Sequence, residues 1–147
     1  MPKQHKAAHR ARSLNPRPAE KPALPPSVAL PRLLDRLTSD ERKTYPMTSG
    51  LGDYFPDALA EVAHISWAGN EKHNPGEPLH WARGKSMDHA DCIARHLSQR
   101  GGVDVVEIGG VSRRIRHSAQ LAWRALALLQ EELEAELGLA LPRGTGV

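Results

Sequence analysis

The sequence predicts an all-α fold preceded by a disordered basic arm, and three observations support this prediction. Apolar residues recur at helical spacing in three segments, which is the period of one buried helix face. No segment shows a convincing strand alternation that would indicate a sheet. Proline, alanine and basic residues fill positions 1–31 without an apolar period, which is typical of a disordered segment.

Length and composition allow one compact domain, which we place at residues 45–138 of the 147. The formal net charge of +3 permits an anionic partner but does not require one. Cys92 is the only cysteine, so an intrachain disulfide and a cysteine-rich zinc site are excluded. We therefore expect a protein of a reducing cytoplasm, with no membrane partner because no run of ~18 apolar residues occurs.

The basic arm, residues 1–31, has two interpretations. It is a simple extension, or it contacts nucleic acid by releasing counterions from phosphates. Nucleic acid is thus a possible partner through this arm alone.

Three helices are predicted in the domain. The first runs from Pro56 to about Ala68 and stops at Gly69 and Asn70. The second runs over residues 87–99, with Ser86 as its N-cap. We expect its core face to carry four apolar residues: Ala90, Ile93, Ala94 and Leu97.

The last helix has the strongest pattern, since apolar residues step alternately by four and three from Ile115 to Leu133. So wide an apolar arc is buried between neighbours or packs against another subunit, which favours a homo-oligomer. The preceding segment, residues 101–110, is either a mobile connection or a short strand.

Acidic residues on the first two helices form one candidate site. Glu61 and Asp57 belong to the first helix, and Asp88 and Asp91 share a face of the second at i and i+3. A divalent cation such as Mg²⁺ or Mn²⁺ would relieve their mutual repulsion, because these ions prefer oxygen ligands. The alternative is a set of solvated acids, or acids paired with bases such as Arg95.

Basic residues in the loop between these helices form a second candidate site, with Lys72, His73, His80, Arg83 and Lys85 as members. Such groups beside a metal would suit a polyphosphate. The alternative is an ordinary solvated loop. Trp81, in the same loop, packs either on the core or on a flat ligand such as a nucleobase.

The stretch YFPDALAEVAHISWAGNEKHNPGEPLHWARGKSMDHADCIARHL, followed by RHSAQLAWRALALLQ, resembles a phage-associated family of dATP/dGTP diphosphohydrolases. That family is similar to the MazG-like all-α nucleotide pyrophosphohydrolases, and the resemblance covers residues 45–134. It implies a MazG-like helical bundle, usually oligomeric, acting in the cytoplasm of an infected bacterial host. It also implies Mg²⁺- or Mn²⁺-dependent cleavage of a purine deoxynucleoside triphosphate to monophosphate and pyrophosphate.

The MazG-like metal motifs match this sequence only in part. The second motif, E-x-x-D, is present as Asp88-x-x-Asp91, with aspartate replacing the glutamate. The first motif, E-x-x-E, is incomplete, because Glu61 is followed three residues later by His64.

On this resemblance Glu61, Asp88 and Asp91 are the expected metal ligands, and Glu71 is a further ligand or the base for water. The residues expected to neutralise the departing pyrophosphate are Lys72, His73, Arg83, Lys85 and Arg95. His117 would reach the site from the last helix, and Trp81 and Asn74 would contact base or sugar. The alternatives are a non-catalytic helical interaction module and a basic nucleic-acid-binding phage protein.

Overall fold

The computed structural model describes residues 30–85, 87–142 and 145–146. Nearly all of the predicted basic arm, residues 1–29, lies outside this range, as does the predicted N-cap Ser86. Four α-helices occur in the described part: α1 (Ser39–Arg42), α2 (Pro56–His73), α3 (His89–Ser98) and α4 (His117–Leu137). A 3₁₀ turn at Leu33–Arg36 and a π turn at Thr48–Gly52 precede α2. The strands are β1 (Trp81–Ala82), β2 (Val103–Ile108), β3 (Val111–Arg116) and β4 (Thr145–Gly146).

The predicted all-α class is wrong, because β2 and β3 form an antiparallel hairpin between α3 and α4. The strands pair from Val103 with Arg116 to Ile108 with Val111. Gly109 and Gly110 connect them with φ of 59° and 74°, as a two-residue type I′ turn requires. The prediction failed because arginines occupy half of β3, and they hide the alternation that a half-buried strand normally shows.

Packing against α2 supports the hairpin, since an isolated two-stranded hairpin is marginally stable in water. Ile108 and Ile115 are buried against Ala68, and Ile65 and Trp67 of α2 pack beside them. Ile115 therefore belongs to β3, and α4 begins two residues later. A second, two-residue pairing joins β1 and β4 in parallel.

Helix α2 continues through the predicted stop at Gly69 and Asn70 and ends at His73. Pro56 lies at its start as predicted. A Cβ atom at Gly69 would meet nothing within 4 Å, so this glycine marks no turn or close contact. Asn70 is buried, and it lines the cleft that is described below.

Helix α3 buries a different face from the predicted one, and of the four residues predicted to face the core only Ile93 is partly buried. Ala90, Ala94 and Leu97 are exposed, whereas His89, Cys92 and His96 are buried. Cys92 is thus a small buried residue, and its neighbours on the buried face are histidines. The histidines are buried because their ring nitrogens find partners on α4, described below.

Helix α4 packs against both α2 and α3 and ends at Gly138, whose φ of 56° is left-handed. Ala119 and Ala127 are its buried apolar residues, while Leu126 and Leu129 remain half exposed. The described helices include none that is long and apolar enough to cross a membrane.

The hairpin turn gives a first prediction. Gly110→Val should lower the free energy of unfolding by about 1–2 kcal/mol, because L-residues disfavour positive φ. No atom lies within 4 Å of the added Cβ position, so the cost comes from the backbone. Gly110→Asn should cost less, since asparagine tolerates this conformation. Urea denaturation measures both, and equal stability of the two variants would contradict the turn assignment.

Candidate ligand-binding cleft

A cleft of about 790 Å³ opens between α2, the loop of residues 74–85, α3, the hairpin and α4. This volume falls within the range of small-molecule sites, roughly 300–1,000 Å³. Six of the eight predicted substrate-binding residues line it: Lys72, His73, Asn74, Trp81, Lys85 and Arg95. They converge because the end of α2, the following loop and α3 form adjoining walls. The other two, Arg83 and His117, do not line the cleft.

The predicted metal ligands are not brought together. Glu61 lines a separate groove with Asp57, and its Oε2 lies 3.7 Å from Nε of Arg116. Asp88 precedes α3, where its Oδ2 accepts a hydrogen bond from the Cys92 thiol at 3.4 Å. Asp91 is exposed in the first turn of α3.

Across residues 30–85, 87–142 and 145–146, no group of three or more His, Cys, Asp or Glu could hold a metal ion. Glu71, the predicted base or extra ligand, is half buried on α2 and lines neither cavity. The described side chains thus do not fit the predicted three-carboxylate set. The role of Mg²⁺ or Mn²⁺ stays a prediction.

Arg83 is bound within the protein rather than facing a ligand. Its guanidinium donates two hydrogen bonds to Glu134 of α4, one of them from Nη2 to Oε1 at 2.9 Å. The two side chains are only 14% and 8% exposed. The guanidinium also lies 3.9 Å from the ring centroid of Trp81, and Gln130 donates to Glu134 at 2.7 Å. Arg83 therefore ties the loop to α4.

Trp81 both packs on the protein and lines the cleft. Its ring meets Trp123 of α4 edge to face, with centroids 5.8 Å apart. The Trp123 indole donates a hydrogen bond to Ser66 of α2 at 2.6 Å. Both indoles line the cleft, so it has two aromatic rings held in fixed positions.

His96, which lines the cleft, is paired with His117 of α4. Nδ1 of His96 lies 3.1 Å from Nδ1 of His117, and both rings are buried. Nε2 of His117 lies 3.6 Å from Asp104 of β2. Burial lowers the pKa of His96 below its ordinary 6.5, and the nearby positive charge of Arg95 lowers it further.

Four buried side-chain atoms lack hydrogen-bond partners among the described residues: two are the Nε atoms of Arg83 and Arg113, and the other two belong to side chains that line the cleft. The two in the cleft are Oδ1 of Asn70 and Nδ1 of His89. The other ends of these side chains have partners: Asn70 Nδ2 donates a hydrogen bond to the Glu77 carbonyl at 2.9 Å. Nε2 of His89 lies 3.3 Å from Glu131. Because an unsatisfied buried polar group costs about 1–3 kcal/mol, these two atoms require an explanation.

Sequence patterns did not assign a role to these residues. Asn70 follows a glycine and was predicted to end α2, and His89 lies outside the apolar stripe predicted for α3. Trp123 lies within the apolar arc of α4 and carries no separate signal. Only the tertiary arrangement brings the three to one cavity.

No protein-family model, curated protein or solved structure matches the chain. The residues of the cleft and the sequence resemblance given above are therefore the basis for proposing a function.

The Arg83–Glu134 pair gives a second prediction. Arg83→Met should lower the free energy of unfolding by about 3–5 kcal/mol, because Glu134 would stay buried without its cation. The double variant Arg83→Met/Glu134→Leu should recover most of that loss. Arg83→Lys should not, since an ammonium cannot form the two-pronged contact.

Urea denaturation of the four proteins measures this effect, with exposed Arg100→Met as the matched control. An Arg83→Met variant of unchanged stability that lost affinity for nucleotides would instead support the predicted phosphate contact.

His96 gives a third prediction, on pH. Its lowered pKa keeps it neutral in the folded protein, whereas the unfolded chain takes up a proton below about pH 6.5. Its contribution to stability is thus complete above pH 6.5 and falls as the pH drops towards the folded pKa. His96→Gln should flatten this fall.

Urea denaturation at about pH 7.5 and about pH 5 tests the sign of the effect. His64→Gln on α2 is the control, because it shows how much the removal of a histidine elsewhere changes the pH dependence. If wild type and His96→Gln lose the same free energy on acidification, His96 does not titrate as inferred.

Proposed function

We propose that the cleft binds a purine deoxynucleoside triphosphate, and that the chain hydrolyses it to the monophosphate and pyrophosphate. The observation that carries the proposal is the juxtaposition of two fixed indole rings with a group of cationic side chains in one cavity. The resemblance of residues 45–134 to dATP/dGTP diphosphohydrolases supports the choice of substrate.

The cationic residues suit a triphosphate by their charge and their exposure. Lys72, Lys85 and Arg95 are exposed side chains that line the cleft, so their charges reach both solvent and ligand. A triphosphate carries several negative charges, and each ammonium or guanidinium group neutralises part of them. The attraction should weaken with salt, because exposed charges are screened.

The tryptophans suit the base of the nucleotide. Aromatic side chains stack on nucleobases with about 1–3 kcal/mol per base, and any base offers a flat face. Trp81 and Trp123 are already held by Arg83 and Ser66, so little side-chain freedom would be lost on binding.

The proposed reaction is the attack of a water oxygen on the α-phosphorus. The bond from that phosphorus to the oxygen bridging the α and β phosphates breaks, and pyrophosphate leaves with the bridging oxygen. The water proton is released, so the products are the monophosphate and pyrophosphate. Mg²⁺ or Mn²⁺ remains the proposed cofactor, without an assigned set of protein ligands.

A homo-oligomer is the proposed quaternary state, because apolar side chains of several elements remain exposed. Leu97 of α3 and Leu126 and Leu129 of α4 are each 51% exposed. Tyr54 and Phe55, before α2, are more exposed still. Light scattering of the purified chain gives the mass in solution and decides this point.

The fourth prediction tests the function. The chain should release pyrophosphate from dATP and dGTP in the presence of Mg²⁺ or Mn²⁺. Lys72→Met and Lys85→Met should each weaken dATP binding about fivefold, since an exposed ion pair contributes up to ~1 kcal/mol. The matched control is Lys43→Met, which removes an exposed lysine paired with Asp40 outside the cleft.

Three outcomes separate the alternatives. Binding without pyrophosphate release would favour a non-catalytic module, and absence of binding would overturn the proposal. Unchanged turnover in Asp91→Asn and Glu61→Gln would remove these carboxylates from the proposed metal set.

A further inference from the structure

We infer that Asn70 and His89 form a pair of hydrogen-bond acceptors that recognises the N–H donors of an amino-bearing purine. This inference rests on the proposed function and specifies which part of the nucleotide is recognised by Asn70 and His89, which we call the floor of the cleft. It assigns a role to two of the four buried polar atoms that have no partner among the described residues, namely the two whose side chains line the cleft.

Asn70 presents an acceptor because of how its amide is held. The side chain is only 6% exposed, and it donates from Nδ2 to the Glu77 carbonyl at 2.9 Å. A carbonyl oxygen can only accept, so the amide nitrogen must face Glu77. The amide oxygen is then the group left for the cleft, and it can only accept a hydrogen bond.

The backbone around Asn70 makes this orientation stable. Asn74 donates its N–H to the Asn70 carbonyl at 2.6 Å, and Glu77 donates to the Asn74 carbonyl at 3.1 Å. The chain therefore turns back directly after α2 and brings the Glu77 carbonyl to the Asn70 side chain. The acceptor is part of a turn that is already formed before any ligand binds.

His89 supplies the second acceptor of the pair, and the reasoning is the same as for Asn70. The ring is 7% exposed, and its Nε2 lies 3.3 Å from Oε2 of Glu131 on α4. A carboxylate only accepts, so Nε2 carries the proton of this contact. In the neutral ring the other nitrogen, Nδ1, is then an acceptor without a partner among the described residues.

Two acceptors select against some ligands and in favour of others. A carboxylate or a phosphate on this floor would place acceptors against acceptors. A base that carries N–H groups supplies the missing donors: adenine has its 6-amino group, and guanine has N1–H and its 2-amino group. Cytosine also carries an amino group, but a purine offers the larger face to Trp81 and Trp123.

The buried polar residues of the cleft would thereby bind one end of the nucleotide, and the exposed charged residues would bind the other end. The donors of the base would meet Asn70 and His89, which are buried. The phosphates would meet Lys72 and Lys85, which are exposed. A buried site built to bond a donor discriminates against ligands that lack it, since its own polar atoms would stay unpaired.

The experiment compares two nucleotides that differ only in the amino group. The probes are the α,β-methylene analogues of dATP and of the triphosphate of purine deoxyriboside, which lacks the 6-amino group. Neither can be cleaved between the α and β phosphates, so calorimetry reports binding alone. The wild-type chain should bind the amino analogue at least about tenfold more tightly, as one or two buried hydrogen bonds imply.

Substitutions then locate the discrimination. Asn70→Leu removes one acceptor, so the ratio of the two dissociation constants should fall to about threefold or less. Asn70→Asp is the matched control, because it loses the same hydrogen bond to Glu77 but keeps an acceptor oxygen. It should retain most of the ratio. His89→Phe keeps a flat ring without an acceptor and should also lower the ratio.

Each outcome decides a separate point. If neither analogue binds the wild-type chain, the proposed function fails, and this inference fails with it. If both bind equally well, the nucleotide site stands but recognition of the amino group is overturned. If the wild type discriminates while Asn70→Leu and His89→Phe keep the full ratio, the assignment to these residues is overturned. Should a variant not fold, the comparison of the analogues on the wild-type chain still decides whether the amino group is recognised.

Discussion

Glu134 accepts two hydrogen bonds from the Arg83 guanidinium inside the protein, and the shape of the cleft depends on this pair. The loop of residues 74–85 contains only two strand residues, so its own backbone bonds cannot hold it in place. The ion pair joins the loop to α4, and Trp81 lies under the guanidinium and meets Trp123 edge to face. The buried ion pair thus positions Trp81, while the hydrogen bond to Ser66 positions Trp123. A residue whose charge suggested phosphate binding instead acts as the support of the site.

The buried polar groups explain why this small domain can keep an open cavity. In the described residues no large side chain is fully buried, and the apolar core is small. Asn70, His89 and His96 occupy inward positions that apolar side chains would normally fill. Each is held by a specific partner, and a hydrogen bond constrains orientation more than an apolar contact does. The floor of the cleft is therefore specified by polar contacts rather than by close packing of methyl groups.

The sequence predicted the helical segments and the convergence of the loop residues, but not how the elements face each other. Periodicity located α2, α3 and α4 because each is long enough to show a repeat. It failed at β3, where arginines mask the alternation, and at Gly69, which lies inside a helix. It also chose the wrong face of α3, since Ala90 and Leu97 are apolar yet exposed. Hydrophobicity alone cannot anticipate that His89 and His96 would find partners on α4.

The orientation of α3 connects the cleft to the outer surface of the protein. Helix α3 turns His89, Cys92 and His96 inward and leaves Leu97 exposed. The half-exposed Leu126 and Leu129 of α4 add to the apolar surface. The orientation of α3 thus determines both the polar residues that would recognise a base and the apolar residue that would contact another subunit. A substitution that turned α3 to bury Leu97 would therefore also move His89 and His96 away from Glu131 and His117, their partners on α4.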